Sequence, residues 1–386
     1  MDDATEFPIY RAAFSGLLAM FLSIGVARFG YSPLVPALVA AKWYSASAAF
    51  WLGAVNLLGY FVGAAIMRAW RGRLEAKPVV LALMALTAIS LAASALRFGV
   101  VWFGLWRFTS GVTGGLLMVL MAAAVVGRAP PASKGKVSGI TFAGMGSGIT
   151  ASSLLIPPLV AHGLVFTWVA LGGLGAVATA AVALMMPHST IQAAPRSEGG
   201  DKAGLAVWLL TAGYCCSALG FVPHMLFLSS FVAIGLHRGV AAGAAVSAWL
   251  GIAAALGPLV LGRVADRFGF LRTLLAGYVV MAVAVALPLV TAATLALSVS
   301  AFFVGAVALG SVMLAAGAIA GLVPANRLAA SWGMATMSYA VMQAITAAAF
   351  SNLFHATGSF LLLFGIGAVA VLASAVLVGA ARVQAK

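Results

Sequence analysis

Long apolar stretches, parted by short gaps that hold nearly all the charge, recur along the whole chain. A helix needs about 20 apolar residues to cross a bilayer. Cutting at charges, prolines and glycine-rich gaps predicts twelve spans, at 11–40, 46–68, 77–96, 98–127, 135–161, 163–186, 204–235, 240–262, 271–290, 293–323, 327–355 and 358–380. The third and fourth are separated by little more than Arg97. The longest polar segment, from Pro187 to Gly204, divides the spans six and six and reads as a flexible linker. The predicted organisation is an all-α membrane protein: one six-helix bundle over 1–187, a cytoplasmic linker over 188–203 and a second bundle over 204–386. A repeat agrees with that division, because Trp51-Leu52-Gly53 with Gly59 recurs 198 residues on as Trp249-Leu250-Gly251 with Gly257.

Composition supports the membrane reading. With 64% hydrophobic and 7% charged residues, no water-soluble surface of this length could be built. The net charge of +14 would by itself point to nucleic acid, but the basic residues stand singly in the gaps. All but five of the 21 lysines and arginines fall on one side of the predicted topology, leaving Lys42, Arg97 and Arg238 outside and Arg28 and Arg107 within spans. That asymmetry orients both termini toward the cytoplasm and makes lipid, not nucleic acid, the partner of the charge. The first apolar run is longer than a signal-peptide core, so no cleaved leader is expected. Cys215 and Cys216 are adjacent in an apolar run and read as packing residues, neither a disulfide framework nor a zinc site.

Candidate chemistry starts at Arg28, inside the segment Ile24 to Pro36, IGVARFGYSPLVP. An arginine at the centre of a membrane helix costs at least ~2.5–3.5 kcal/mol, so its environment must compensate. A watery cavity that receives an anion would do so. Helical spacing predicts Tyr31 and Ser32 on the face of Arg28, with Pro33 and Pro36 breaking the hydrogen bonding beyond. Arg107, in the fourth span, falls at a similar depth; the alternative for it is a structural role, bonding neighbouring backbone carbonyls. Asn56 and Tyr60 in the second span, Tyr214, Ser217, Phe221 and His224 in the seventh, and Trp332, Thr336, Tyr339 and Gln343 in the eleventh form polar stripes. Each could equally serve helix packing. The repeat carries Arg28 to within two residues of His224, which predicts a cation and a titratable ring facing each other across a cavity. The seven acidic residues, Asp2, Asp3, Glu6, Glu75, Glu198, Asp201 and Asp266, all fall outside the predicted spans, so neither interior arginine has a protein counter-ion. A carboxylate or phosphate on the cargo would complete the site.

Between the eighth and ninth spans, Gly262-Arg263-Val264-Ala265-Asp266-Arg267-Phe268-Gly269 resembles the G-x-x-x-D-R-x-G loop of the major facilitator superfamily. Gly262, Asp266, Arg267 and Gly269 then form the expected conformational latch, with Asp266 placed to cap a helix start and to contact Ser133 to Gly139 in an outward-open state. The first-half counterpart carries Met67 where that family has the aspartate. Arg107 followed by spaced glycines resembles a second pattern of the superfamily. The segment GVARFGYSPLVP, Asn56-Leu57-Leu58-Gly59-Tyr60 with Gly63, and Gln343 together resemble the bacterial YbfB/YjiJ-type permeases. The resemblance implies a cavity lined by the first, fourth, seventh and tenth spans and alternating access, with no substrate specified. The expectation is a monomeric secondary transporter in the bacterial inner membrane that moves a small organic anion. Arg28 and Arg107 would bind the charge, while Tyr31, Asn56, Tyr60, His224, Tyr339 and Gln343 complete the site. An exporter of hydrophobic or amphipathic compounds is the alternative, since the chain has 15 methionines, 22 phenylalanines and 9 tryptophans. No cofactor and no metal are expected, and no nucleophile, metal cluster or phosphate loop points to an enzyme.

Overall fold

A computed structural model describes residues 8–70, 72–192 and 204–384. Its helices are α1 (Ile9–Ala40), α2 (Ala46–Ala69), α3 (Ala76–Ala93), α4 (Val100–Val126), α5 (Lys134–Ala161), α6 (Leu164–Met185), α7 (Leu205–Gly235), α8 (Gly239–Phe268), α9 (Phe270–Val290), α10 (Thr294–Ala320), α11 (Ala325–Thr357) and α12 (Phe360–Gln384). Eleven of them are long and apolar enough to cross a membrane. The other, α11, is 33 residues long and less apolar. Each predicted span falls on one helix, and the doubtful third gap is a real break, closed by Gly99 at φ +92° before α4 begins. The expected linker begins with structure: β1 (Arg73–Glu75) pairs antiparallel with β2 (Thr190–Gln192), placing Arg73 opposite Gln192. Positions 193–203 of that linker, and with them Arg196, Glu198, Asp201 and Lys202, lie outside the described residues.

The repeated glycines explain how the helices come together. A Cβ on Gly59 would strike the Phe108 carbonyl oxygen of α4, and one on Gly257 would strike Ala306 of α10. Both partners are again 198 residues apart, so the same small-residue contact joins α2 to α4 and α8 to α10. Because lipid tails are as apolar as the side chains, no hydrophobic force drives membrane helices together, and such close backbone approach is how they gain packing energy.

Three helices leave α geometry at related places. Phe21–Phe29 of α1, Ala122–Val126 of α4, and Pro223–Phe227 and Phe231–Gly235 of α7 are π-helical. The prolines contribute a reason: Pro33 cannot donate to the carbonyl four residues before it, and neither can Pro36 or Pro223, so the local ladder has bonds to spare. Gly30 N–H accordingly donates to the Gly25 carbonyl, five residues back, at 3.0 Å.

The two halves meet at the outer end. Phe50 of α2 packs on Phe227 of α7 at 4.3 Å and on Phe354 of α11 at 4.9 Å between ring centres. Ser32 Oγ donates to the Leu226 carbonyl at 3.3 Å, and Trp51 Nε1 donates to Asn352 Oδ1 at 3.1 Å. Every residue from Phe29 to Leu38 and from Gly220 to Ala233 is buried, which closes the outer halves of α1 and α7 together.

Candidate functional site

The inner half of α1 behaves differently from the outer half. Tyr10, Phe14, Leu17 and Phe21 follow helical spacing and retain exposed surface, Tyr10 56% and Phe14 46%, and in the π-helical stretch after Phe21 only Arg28 is not fully buried. Beyond Arg28 the sealed outer half begins. With the basic loops marking the inner side as cytoplasmic, Arg28 stands on the cytoplasmic side of the closed outer half.

Arg28 is partly exposed, and its contacts come from three other helices. Its Nη2 donates to Gln343 Oε1 of α11 at 2.6 Å and lies 3.7 Å from Met225 Sδ of α7. The Tyr60 ring of α2 lies under the guanidinium, 4.5 Å from its carbon, and Tyr339 of α11 is within electrostatic range. Nε is buried and has no hydrogen-bond partner. Among the described residues the acids are Glu75 and Asp266, both exposed and both in or beside loops. Gln343 offers a dipole where an arginine would ordinarily meet a full negative charge, so the positive charge stays uncompensated.

Arg107 sits on the far side of α1. It is 2% exposed, donates from Nη1 to the Ala27 carbonyl at 2.7 Å, and places its guanidinium carbon 4.0 Å from the centre of the Tyr31 ring. Tyr31 in turn donates to the Ala49 carbonyl at 2.8 Å. Asn56 Nδ2 donates to the Arg107 carbonyl at 2.9 Å and to Ser110 Oγ at 3.0 Å. Tyr31, Asn56 and Arg107 therefore form a second, closed cluster around the carbonyl of the residue before Arg28. Tyr31 is not on the face of Arg28, because the spacing argument assumed α geometry and the π-helical stretch with its turn at Gly30 rotates the chain between them.

His224 does not face Arg28 either. It is 2% exposed and points into the second half, with Nε2 2.7 Å from Ser300 Oγ of α10 and its ring edge-on to Phe364 of α12 at 5.3 Å. Ser300 donates to the Ala284 carbonyl, so its oxygen accepts from His224 and the ring hydrogen is on Nε2. Nδ1 is buried without a partner. The residue across from Arg28 is its neighbour Met225, which the sequence offered no signal to single out.

At the loop after α8, Asp266 is exposed and lies in the last turn of the helix; it does not cap a helix start. The connection to α9 is Gly269 alone, at φ +89°, and no side chain caps α9. An acid in a last helical turn faces the negative end of the helix dipole. Gly262 lies against Met313 of α10, and Arg267 reaches over the Phe268 ring at 5.5 Å.

On the inner side of Arg28 stand several rings. Tyr214 stacks on Tyr339 at 4.3 Å and lies 6.0 Å from Trp332. Trp332 and Tyr339 are partly exposed, and Thr336 between them is exposed. Of the eight residues expected to bind cargo, the structure thus gathers Tyr60, Tyr339 and the buried Gln343 around the guanidinium of Arg28. Tyr31, Asn56 and Arg107 stand behind α1, and His224 stands inside the second half.

No curated protein matches the chain. Among solved structures it is similar to a crystal structure of a variant of the nucleoside transporter NupG, with a TM-score of 0.74 over 97% of this chain and 100% of that one. At 13% identity this likeness shows the fold, the twelve-helix arrangement of major facilitator transporters. The family model described as "Uncharacterised MFS-type transporter YbfB" matches residues 20–379, and the chain belongs to that family of membrane transporters.

Proposed function

We propose that the protein is a secondary transporter that moves a small organic anion across the bacterial inner membrane by alternating access, and that Arg28 is the group that recognises the anion. One observation carries this reading: a permanently charged guanidinium, partly exposed on the inner side of the closed outer half, met by an amide oxygen and by no carboxylate among the described residues. Cargo carrying a carboxylate would displace Gln343 from Nη2 and supply the missing charge in a bidentate pair. Gln343 belongs to α11 and Arg28 to α1, so the exchange would also loosen a bond between the two halves. Tyr60 and Tyr339 orient the cargo, and Arg107 holds α1 by its Ala27 carbonyl.

The rings of Tyr214, Tyr339 and Trp332 favour a second reading, a carrier of neutral planar or amphipathic compounds. The nucleoside transported by the similar structure is such a compound. Uptake into proteoliposomes separates the two. An anion carrier loses uptake of its substrate in Arg28→Ala and recovers little of it in Arg28→Lys, which lacks the planar fork. Undiminished uptake by a folded Arg28→Ala protein would favour the neutral cargo.

A further inference from the structure

Several rings stand around and inward of Arg28, and a further guanidinium, that of Arg68, lies against Gly333 at the inner end of α11. Along α11, Gln343, Tyr339, Thr336 and Trp332 follow one another at intervals of four, three and four residues toward the inner end, and so share a face. Gln343 touches the guanidinium. One turn inward, Tyr339 lies within electrostatic range of both Arg28 and Tyr60. Trp332 is two turns further in, roughly 10 Å along the axis. Tyr214, 2% exposed, backs both rings and fixes Tyr339 by stacking. The Tyr60 ring forms the other side, beneath the guanidinium itself.

The charge count limits the cargo to one negative group at this end. Arg107, the second arginine within the spans, is turned to the Ala27 carbonyl behind α1 and is 2% exposed. A dicarboxylate would leave its second charge among rings, which is costly. The groups next to the anion position bound the rest of the cargo. Tyr60 and Tyr339 present π-faces and few hydrogen-bonding atoms, a poor match for a hydroxyl-rich body and a good one for a flat ring, which stacks in offset geometry.

From this arrangement we infer that the cargo is an aromatic monocarboxylate: its carboxylate pairs with Arg28 in place of Gln343, and its ring lies against Tyr60 and Tyr339. The inference rests on the anion reading and narrows it.

Isothermal titration calorimetry on the purified full-length protein tests it with four probes: benzoate, cyclohexanecarboxylate, succinate and uridine. Benzoate and cyclohexanecarboxylate share charge and approximate size and differ in the π-face. Benzoate is expected to bind roughly tenfold more tightly than cyclohexanecarboxylate, with succinate no tighter than the latter. In Tyr60→Leu and Tyr339→Leu, checked for folding by thermal unfolding, that ratio is expected to fall toward one. Should Tyr339→Leu unfold for want of its stack on Tyr214, the partly exposed Tyr60 carries the comparison, and the wild-type ratio stands independently of either variant. Equal binding of benzoate and cyclohexanecarboxylate, or tighter binding of succinate, would overturn the aromatic assignment and leave the anion reading in place. Binding of uridine without any carboxylate, or of none of the probes, would overturn both.

Discussion

Two arginines stand within the membrane spans, at similar depth by sequence, on helices that touch, and their surroundings are opposite. Arg28 is partly exposed and hydrogen-bonded to a side chain of the other half of the protein, while its Nε, like that of Arg107, is buried without a hydrogen-bond partner. Arg107 is 2% exposed, bonded to a main-chain carbonyl of the neighbouring helix and roofed by an aromatic ring. The difference teaches that depth alone does not make an interior cation a binding group. What matters is which side of α1 it occupies and whether its partner can be exchanged. A side-chain amide can swing away from Nη2 when a better acceptor arrives. The Ala27 carbonyl is fixed in the backbone of α1 and cannot.

The largest expected effect breaks the comparison at Arg28. Removing the guanidinium in Arg28→Ala costs the charge-assisted bonds to the anion, and binding of a monocarboxylate should weaken on the order of 100-fold. Arg28→Lys should recover less than a tenth of that, because a point charge cannot reproduce the fork. Calorimetry on folded variants reads both numbers; a lysine variant that binds like wild type would show that charge alone suffices. The next effect, on the order of tenfold, sharpens the comparison by giving Arg28 the permanent partner that it lacks. Gln343→Glu places a carboxylate where Oε1 now stands, 2.6 Å from Nη2. Anion affinity should fall while thermal stability rises, since the variant satisfies from within what the cargo satisfies in wild type. Unchanged affinity in this variant would mean that the anion meets some other group.

Much of this architecture was legible in the chain. The twelve helices and the 198-residue repeat follow from hydropathy and spacing, and the repeated Gly59 and Gly257 contacts show the repeat in three dimensions. Arg28 could be singled out because an uncompensated charge in an apolar run is costly wherever it faces. Which residues join it was less legible. Predicting faces from a period of 3.6 fails where the helix is π-wound, and Phe21–Phe29 ends one residue past Arg28. That is why Tyr31 fell in with Arg107; His224 was placed by the 198-residue offset, which leads to position 226, and the residue against Arg28 is Met225, one position from there. The Asp266 error had a different source: the motif suggested a loop, while Gly269 makes the whole turn in one residue and leaves the acid inside α8.

Arg107 supplies the converse test, with its effect on stability rather than on binding. Arg107→Met keeps the length and bulk of the side chain but leaves the Ala27 carbonyl without this donor, a loss of roughly 1–3 kcal/mol. Thermal unfolding in detergent should register it, while the folded fraction binds monocarboxylate within about threefold of wild type, below a tenfold step of affinity. A weakening as large as that of Arg28→Ala at equal folded fraction would put both arginines on the cargo and erase the contrast.

His224 is the third interior group able to carry a positive charge, and its surroundings resemble those of Arg107 more than those of Arg28. Its Nε2–H is committed to Ser300, whose own hydroxyl is committed to the Ala284 carbonyl, and the ring is wedged against Phe364, away from the accessible stripe on α1. A proton that couples to transport must be picked up and released along a path that opens to water, and the geometry gives this ring none. His224→Asn should therefore leave the shape of the pH profile of uptake unchanged, with any lowering uniform across pH and traceable to less folded protein. A profile that flattens in this variant would instead make His224 the coupling group, and would require another state to expose a ring that this one seals.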